Sequence, residues 1–167
     1  EILTVMVAPA YGAAPALMPL LIFKQVEISI EHGNCLTSIY AYADYGLILC
    51  GVIGDISSGY EFGRLALKLL DKLQAKTFEA RALYIFHTYI NHWKNPLQAS
   101  LSELKRGYQS GLETGDIESS SLNAAAACYY SYHAGQELTS VIKEMAIYDV
   151  AICQLKQITA RYFVEIY

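Results

Sequence analysis

Residues 78–97 read FEARALYIFHTYINHWKNPL. Phe78, Ala82, Ile85, Phe86, Tyr89 and Trp93 recur at three-to-four spacing, which lays them along one stripe of an α-helix. Asn95-Pro96 closes the segment, because the residue before a proline is pushed out of the helical region. The stripe is read as the core-facing side. Tyr84, His87 and Asn91 then point roughly the other way. They would offer an aromatic ring and hydrogen-bonding groups on a surface with little stability reason to carry them, and they are the expected partner-binding patch.

The same pattern repeats on both sides of this stretch. Helix pairs opening near Leu36, Phe78 and Glu118 follow one another at a step of roughly 40 residues, in the range of helical repeat arrays. Gly54-Asp55, Asn95-Pro96 and Gly135-Gln136 break the three pairs, each a dipeptide suited to ending one helix and turning into another. Leu101, Leu104, Tyr108 and Leu112 form a second stripe, and Val141, Met145, Tyr148, Ile152 and Leu155 a third. No run of strict alternation supports a strand. Eight helices are expected, over 2–9, 16–32, 35–52, 57–74, 76–93, 97–113, 117–133 and 137–165.

Small residues mark where helices approach closely. Gly46, Gly51, Gly63 and the run Ala124 to Ala127 remove bulk within helical segments, at a cost of about 1 kcal/mol for each glycine relative to alanine. Tetratricopeptide units need the same complement of small and large residues. Gly54-Asp55 and Gly115-Asp116 both resemble the turn inside such a unit, yet they fall in different registers of the 40-residue step. The expected fold is therefore all-α, with antiparallel helix hairpins stacked as an irregular tetratricopeptide-like right-handed solenoid. Residues 1–167 read as a single helical-repeat domain, a fragment of a much larger protein.

Composition narrows the function classes. With 54% hydrophobic and 17% charged residues the chain reads as a packed body rather than a disordered one. A net charge of −4 and a pI near 5.5 disfavour nucleic acid and anionic membranes as partners. Ile2 to Phe23 carries no charge, but Pro9, Pro15 and Pro19 would strand backbone carbonyls in lipid, so no membrane span is expected. Cys35, Cys50, Cys128 and Cys153 lie in apolar helical stretches without zinc or redox spacing and read as buried free thiols of a cytoplasmic protein.

Catalytic constellations are missing from the sequence. There is no phosphate-binding loop, no kinase catalytic phrase, no phosphoacceptor histidine box and no nucleophile elbow around Ser119, Ser120 or Ser121. His87 and His92 are five apart, off the spacing of a helical metal pair. Asp55 and Asp116 read as N-caps, and His32 and His133 as groups near helix C-termini. No catalytic residue, cofactor or metal is expected. The fourteen tyrosines can pack their rings while their hydroxyls reach water, and some of them would line a groove.

Several phrases carry a family resemblance: Gly33-Asn34 with SIYAYADYG at 38–46, GYEFG at 59–63, HWKNPL at 92–97 and YQSGLETGD at 108–116. These resemble the helical region of very large bacterial multi-sensor signal-transduction kinases, over most of residues 17–160. Such proteins combine a serine/threonine kinase-like domain, an AAA-type ATPase, a helical tetratricopeptide-like region, a GAF sensor and a histidine kinase, as in two-component systems. The resemblance implies a non-catalytic scaffold between ATPase and sensor, bound to flanking domains or a protein partner, with oligomeric state open. The alternative is a small-ligand sensor that binds a metabolite in an apolar, tyrosine-rich cavity. Purified protein is expected neither to hydrolyse ATP nor to transfer phosphate. Radiolabelled-ATP turnover that survives removal of trace contaminants would contradict this.

Overall fold

A computed structural model describes residues 2–165. Those residues form nine α-helices and no strand: α1 (Ile2–Ala13), α2 (Leu17–His32), α3 (Ser38–Ile48), α4 (Ile56–Leu73), α5 (Lys76–Ile85), α6 (Gln98–Thr114), α7 (Ile117–His133), α8 (Leu138–Gln154) and α9 (Ile158–Glu165). Two of them run on into wider π-helical turns, Leu49–Ile53 after α3 and Phe86–Ile90 after α5, and the second is followed by a 3-10 turn, Asn91–Trp93. Successive helices pack together, most extensively α3 with α4 and α6 with α7. The odd-numbered helices α3, α5, α7 and α9 also touch in sequence, making one layer against which α4, α6 and α8 lie.

Two turns of the same build join the most extensive pairs. Gly54 and Gly115 both take the left-handed conformation, at φ 83° and 82°, which glycine adopts without steric cost. The next residue caps the following helix: Asp55 Oδ1 accepts from the Ser58 N–H at 3.0 Å, and Asp116 Oδ1 from the Ser119 N–H at 3.2 Å. One turn leads from an odd helix to an even one, the other from even to odd. The equal turns are therefore out of phase with a uniform hairpin repeat.

Above each turn the helices meet at small residues. A Cβ at Gly46 would lie 2.7 Å from the Gly59 carbonyl oxygen, and one at Gly111 would lie 2.6 Å from Ser120 Cβ. Side-chain amides and hydroxyls then tie helices together. Asn123 Nδ2 on α7 donates to the Ala80 carbonyl of α5 at 2.8 Å, and Ser120 Oγ donates to the Tyr108 carbonyl of α6 at 2.8 Å. Between α3 and α5, Arg81 approaches Asp44 at 3.4 Å and lies over the Tyr40 ring at 4.5 Å. The alanine run is buried throughout, as its place between helices requires.

Three expectations need correction. The first helix does not stop at Pro9 but continues to Ala13. The carbonyl that loses its partner to Pro9 belongs to Val5, which is exposed and open to water. The single helix over 137–165 is broken at Lys156, φ 57°, where the Gln157 N–H reaches the Ile152 carbonyl and the Lys156 N–H the Cys153 carbonyl. This is a glycine-type helix stop built without glycine, and packing of α9 on α7 offsets a strain of about 1–2 kcal/mol. Cys50 and Cys128 are buried, but Cys35 and Cys153 are exposed.

Gly59→Ala is expected to destabilise the fold by about 1–3 kcal/mol, since its Cβ would meet the Gly46 carbonyl oxygen at 2.8 Å and the Cys50 nitrogen at 2.9 Å. Gly12→Ala, with nothing within 4 Å, is expected to be neutral or stabilising. Urea midpoints of the two variants check the contrast, and equal midpoints would dismiss the close-approach account.

Candidate functional site: an aromatic cleft beside the wide turn of α5

The turn Phe86–Ile90 fixes which residues face what. Its hydrogen bonds span five residues instead of four, and the Asn91 N–H reaches back to the Phe86 carbonyl. One extra residue per turn rotates everything that follows by about 100° relative to a regular α-helix. Phe86 stays in the core, seated against Gly63, where a Cβ would meet its ring at 2.7 Å. Beyond it the faces exchange. His87 and Asn91, expected on an outer docking face, are buried at 6% and 5% exposure, whereas Tyr89 and Trp93, expected in the core, are 40% and 49% exposed.

The buried side becomes a polar seam against α6. Ser100 Oγ lies 3.1 Å from His87 Nδ1 and accepts from Asn91 Nδ2 at 2.9 Å. Asn95 Nδ2 donates to Asn91 Oδ1 at 2.8 Å and to the Tyr60 hydroxyl at 3.1 Å. The wide turn also frees carbonyls, and the Tyr130 hydroxyl of α7 meets them, at 2.8 Å from the Thr88 oxygen and 3.1 Å from the His87 oxygen. Burial pulls His87 down to about 4, so its imidazole is neutral here. His87 and Asn91 thus hold α5 to α6.

Tyr84 alone of the expected patch borders open space. With Tyr89, Thr88 and His92 it forms one wall of a cleft of about 360 Å³. Leu122, Ala125, Ala126 and Tyr129 of α7 form the floor and far wall, and Phe163 of α9 closes one end. Tyr84 and Tyr89 stand edge-to-face with centroids 5.6 Å apart and their hydroxyls hydrogen-bonded at 2.9 Å. Burial, and then Tyr89 beside it, push the Tyr84 phenol well above its usual range. His92, exposed along one edge, is held below its ordinary value by burial. No Asp, Glu, Lys or Arg lines the cleft.

A second depression, of about 320 Å³, lies between α2 and α3 beside Phe23, Ile30 and Tyr45. It is shallower, and Glu27 and Glu31 line it on α2 without a basic group on the facing helix. Sequence reading places Tyr89 in the core, weighs His92 only as a metal ligand and does not single out Phe163. The tyrosines as a group are its pointer to a groove, while no periodicity reports a π-helical turn. Among the described residues no group of three His, Cys, Asp or Glu side chains is arranged to hold a metal ion. No helix among them is long and apolar enough to cross a membrane.

Comparison with known proteins adds one similarity. Hybrid signal transduction histidine kinase G of Dictyostelium discoideum is 28% identical over 133 residues, a match that covers 78% of this chain and 4% of that protein. The chain therefore corresponds to a small part of the relative's length. No family model matches the sequence, and no solved structure matches it.

Removing the Tyr130 hydroxyl leaves two carbonyls of the wide turn without it, so Tyr130→Phe is expected to cost about 1–3 kcal/mol by denaturant titration. Acid should act through His87 and Asp44 with opposite signs. The folded state disfavours the protonated imidazole, so His87 lowers stability as pH falls from 6.5 towards about 4. Burial raises Asp44 to about 6 against the pull of Arg81, so its contribution is full below 3.8 and is lost as pH rises through about 6. Against the wild-type profile of melting temperature between pH 4 and 6.5, Asp44→Asn should steepen the loss in acid and His87→Gln should lessen it. Two variant profiles parallel to wild type would dismiss both assignments.

Proposed function

We propose that this chain is a non-catalytic helical scaffold within a signal-transduction kinase, and that it docks the segments flanking it in a longer protein. The similarity to a hybrid signal transduction histidine kinase, of which the match covers 4%, supports a signalling context and a part-of-a-whole role. The contacts among α3, α5, α7 and α9, with their partners on one side, fit stacked antiparallel hairpins. The paired Gly-Asp turns fit an irregular tetratricopeptide-like solenoid. On this reading the scaffold links an ATPase region to a sensor region and acts by position rather than chemistry.

The observation that carries the reading is α8, which is apolar on two faces. Val141 and Ile152 are buried against the body, while Leu138, Ile142, Ile147 and Val150, spread around the rest of the helix, are each more than half exposed. Four large apolar side chains left open on one helix are more than scattered surface positions require. The other end of the chain repeats this, since α1 buries Val7 and Ala10 yet exposes Ile2, Val5 and Tyr11. Central helices differ: α4 buries Ala66, Leu69 and Leu70 and turns Glu61, Arg64 and Lys68 to water. Apolar surface at both ends and a solvated middle is the arrangement of a segment whose ends meet further helices.

Ile142→Asp with Val150→Asp tests this directly. As surface changes they should move the stability of the isolated protein by no more than about 0.5 kcal/mol each. Capture of the separately expressed C-terminal flanking segment of the parent protein should fall at least about tenfold. Unaltered capture by a folded double variant would remove α8 as the docking face.

A further inference from the structure

We infer that the cleft between Tyr84, Tyr129 and Phe163 is a binding site for a small, uncharged, planar aromatic molecule that carries a hydrogen-bond acceptor. The site includes no residue of α8 and goes beyond the scaffold reading. Its volume of about 360 Å³ sits at the small end of the range of about 300–1,000 Å³ for ligand sites, enough for a fused two-ring molecule. The walls are aromatic and the floor is the methyl groups of Ala125 and Ala126. A flat ring stacks on such walls, whereas a bulkier floor would fill the space.

Charge selects the ligand class. The cleft has no ionised side chain to offset a charged guest, so an anion would lose hydration without a counter-charge and a cation would have only ring faces in place of its water. Thr88 supplies the polar contact. Its hydroxyl is buried in the wall with no hydrogen-bond partner, which costs about 1–3 kcal/mol while it stays so. Rotation about χ1 re-aims that hydroxyl within the lining, so that its O–H can meet a ligand acceptor. The Tyr84 and Tyr89 hydroxyls share one hydrogen bond across the mouth, which leaves one of the two O–H groups as a donor, and His92 adds a ring nitrogen at the edge. Few polar groups in an apolar, aromatic slot are the resulting pattern.

Quinoline, N-methylquinolinium and quinoline-6-carboxylate share a fused two-ring frame and differ in charge, and the methylated cation also lacks the ring-nitrogen acceptor. Titrated calorimetrically into the whole chain at pH 7.5, quinoline should bind one saturable site at least about tenfold more tightly than either ion. Phe163→Ala, which opens the end wall at an exposed position, and Ala126→Leu, which fills the floor, should each weaken it at least about fivefold. Melting curves establish that each variant is folded, and if Ala126→Leu is not, Phe163→Ala decides. Thr88→Val should weaken quinoline about threefold to tenfold without lowering the melting temperature, because the lost hydroxyl has no partner in the free protein. Absence of saturable binding, a cation that binds as tightly as quinoline, or affinity unchanged by Phe163→Ala would each overturn the assignment.

Discussion

The wide turn Phe86–Ile90 is the constraint on which the rest of the site depends. A regular helix through this segment would keep Phe78, Phe86, Tyr89 and Trp93 on one stripe and send His87 and Asn91 to solvent. With one more residue in the turn, the second half is rotated, and carbonyls that an α-helix would satisfy need other donors. The Tyr130 hydroxyl of α7 supplies one, at 2.8 Å from the Thr88 oxygen. The same contact brings α7 alongside α5 and leaves Tyr129, its neighbour, on the open side. The cleft and the polar seam are thus two sides of one backbone irregularity.

Close approach elsewhere makes this possible. Gly46 and Gly59 let the α3 and α4 backbones meet, Gly63 makes room for the Phe86 ring, and Gly107 and Gly111 make room for Asn123 and Ser120 where α6 meets α7. Backbones that come so near exclude water, so the polar groups there need internal partners. Ser120 and Asn123 find them in carbonyls of the neighbouring helices. Asp44 and Arg81 add a charged link between α3 and α5, at the expense of a carboxyl that burial pushes up to about 6.

The proposed function rests on where this packing stops. The centre of the array is closed by small-residue contacts and turns a solvated face outwards at α4. Towards its ends, α1 and α8 keep apolar side chains that no described residue covers. On the proposed reading, these are the surfaces that would meet attached segments. The aromatic cleft involves α5, α7 and α9, so a ligand there would tie α9 more firmly to the layer that α5 and α7 belong to.

The sequence by itself determined the helical class and nearly every element, because spacing of apolar residues and turn chemistry are local properties. Helices at 57–74, 97–113 and 117–133 were legible to within a residue or so, as were the caps at Asp55 and Asp116. Tertiary structure alone decided three things. It put a helix stop at Lys156, where no glycine signals one and contact with α7 supplies the energy. It let α1 run past Pro9, since the freed Val5 carbonyl faces water. It widened the turn after Ile85, which took His87 and Asn91 inward and Tyr89 and Trp93 outward. That last choice rests on a hydroxyl more than forty residues away in sequence, at Tyr130, and no local periodicity contains it.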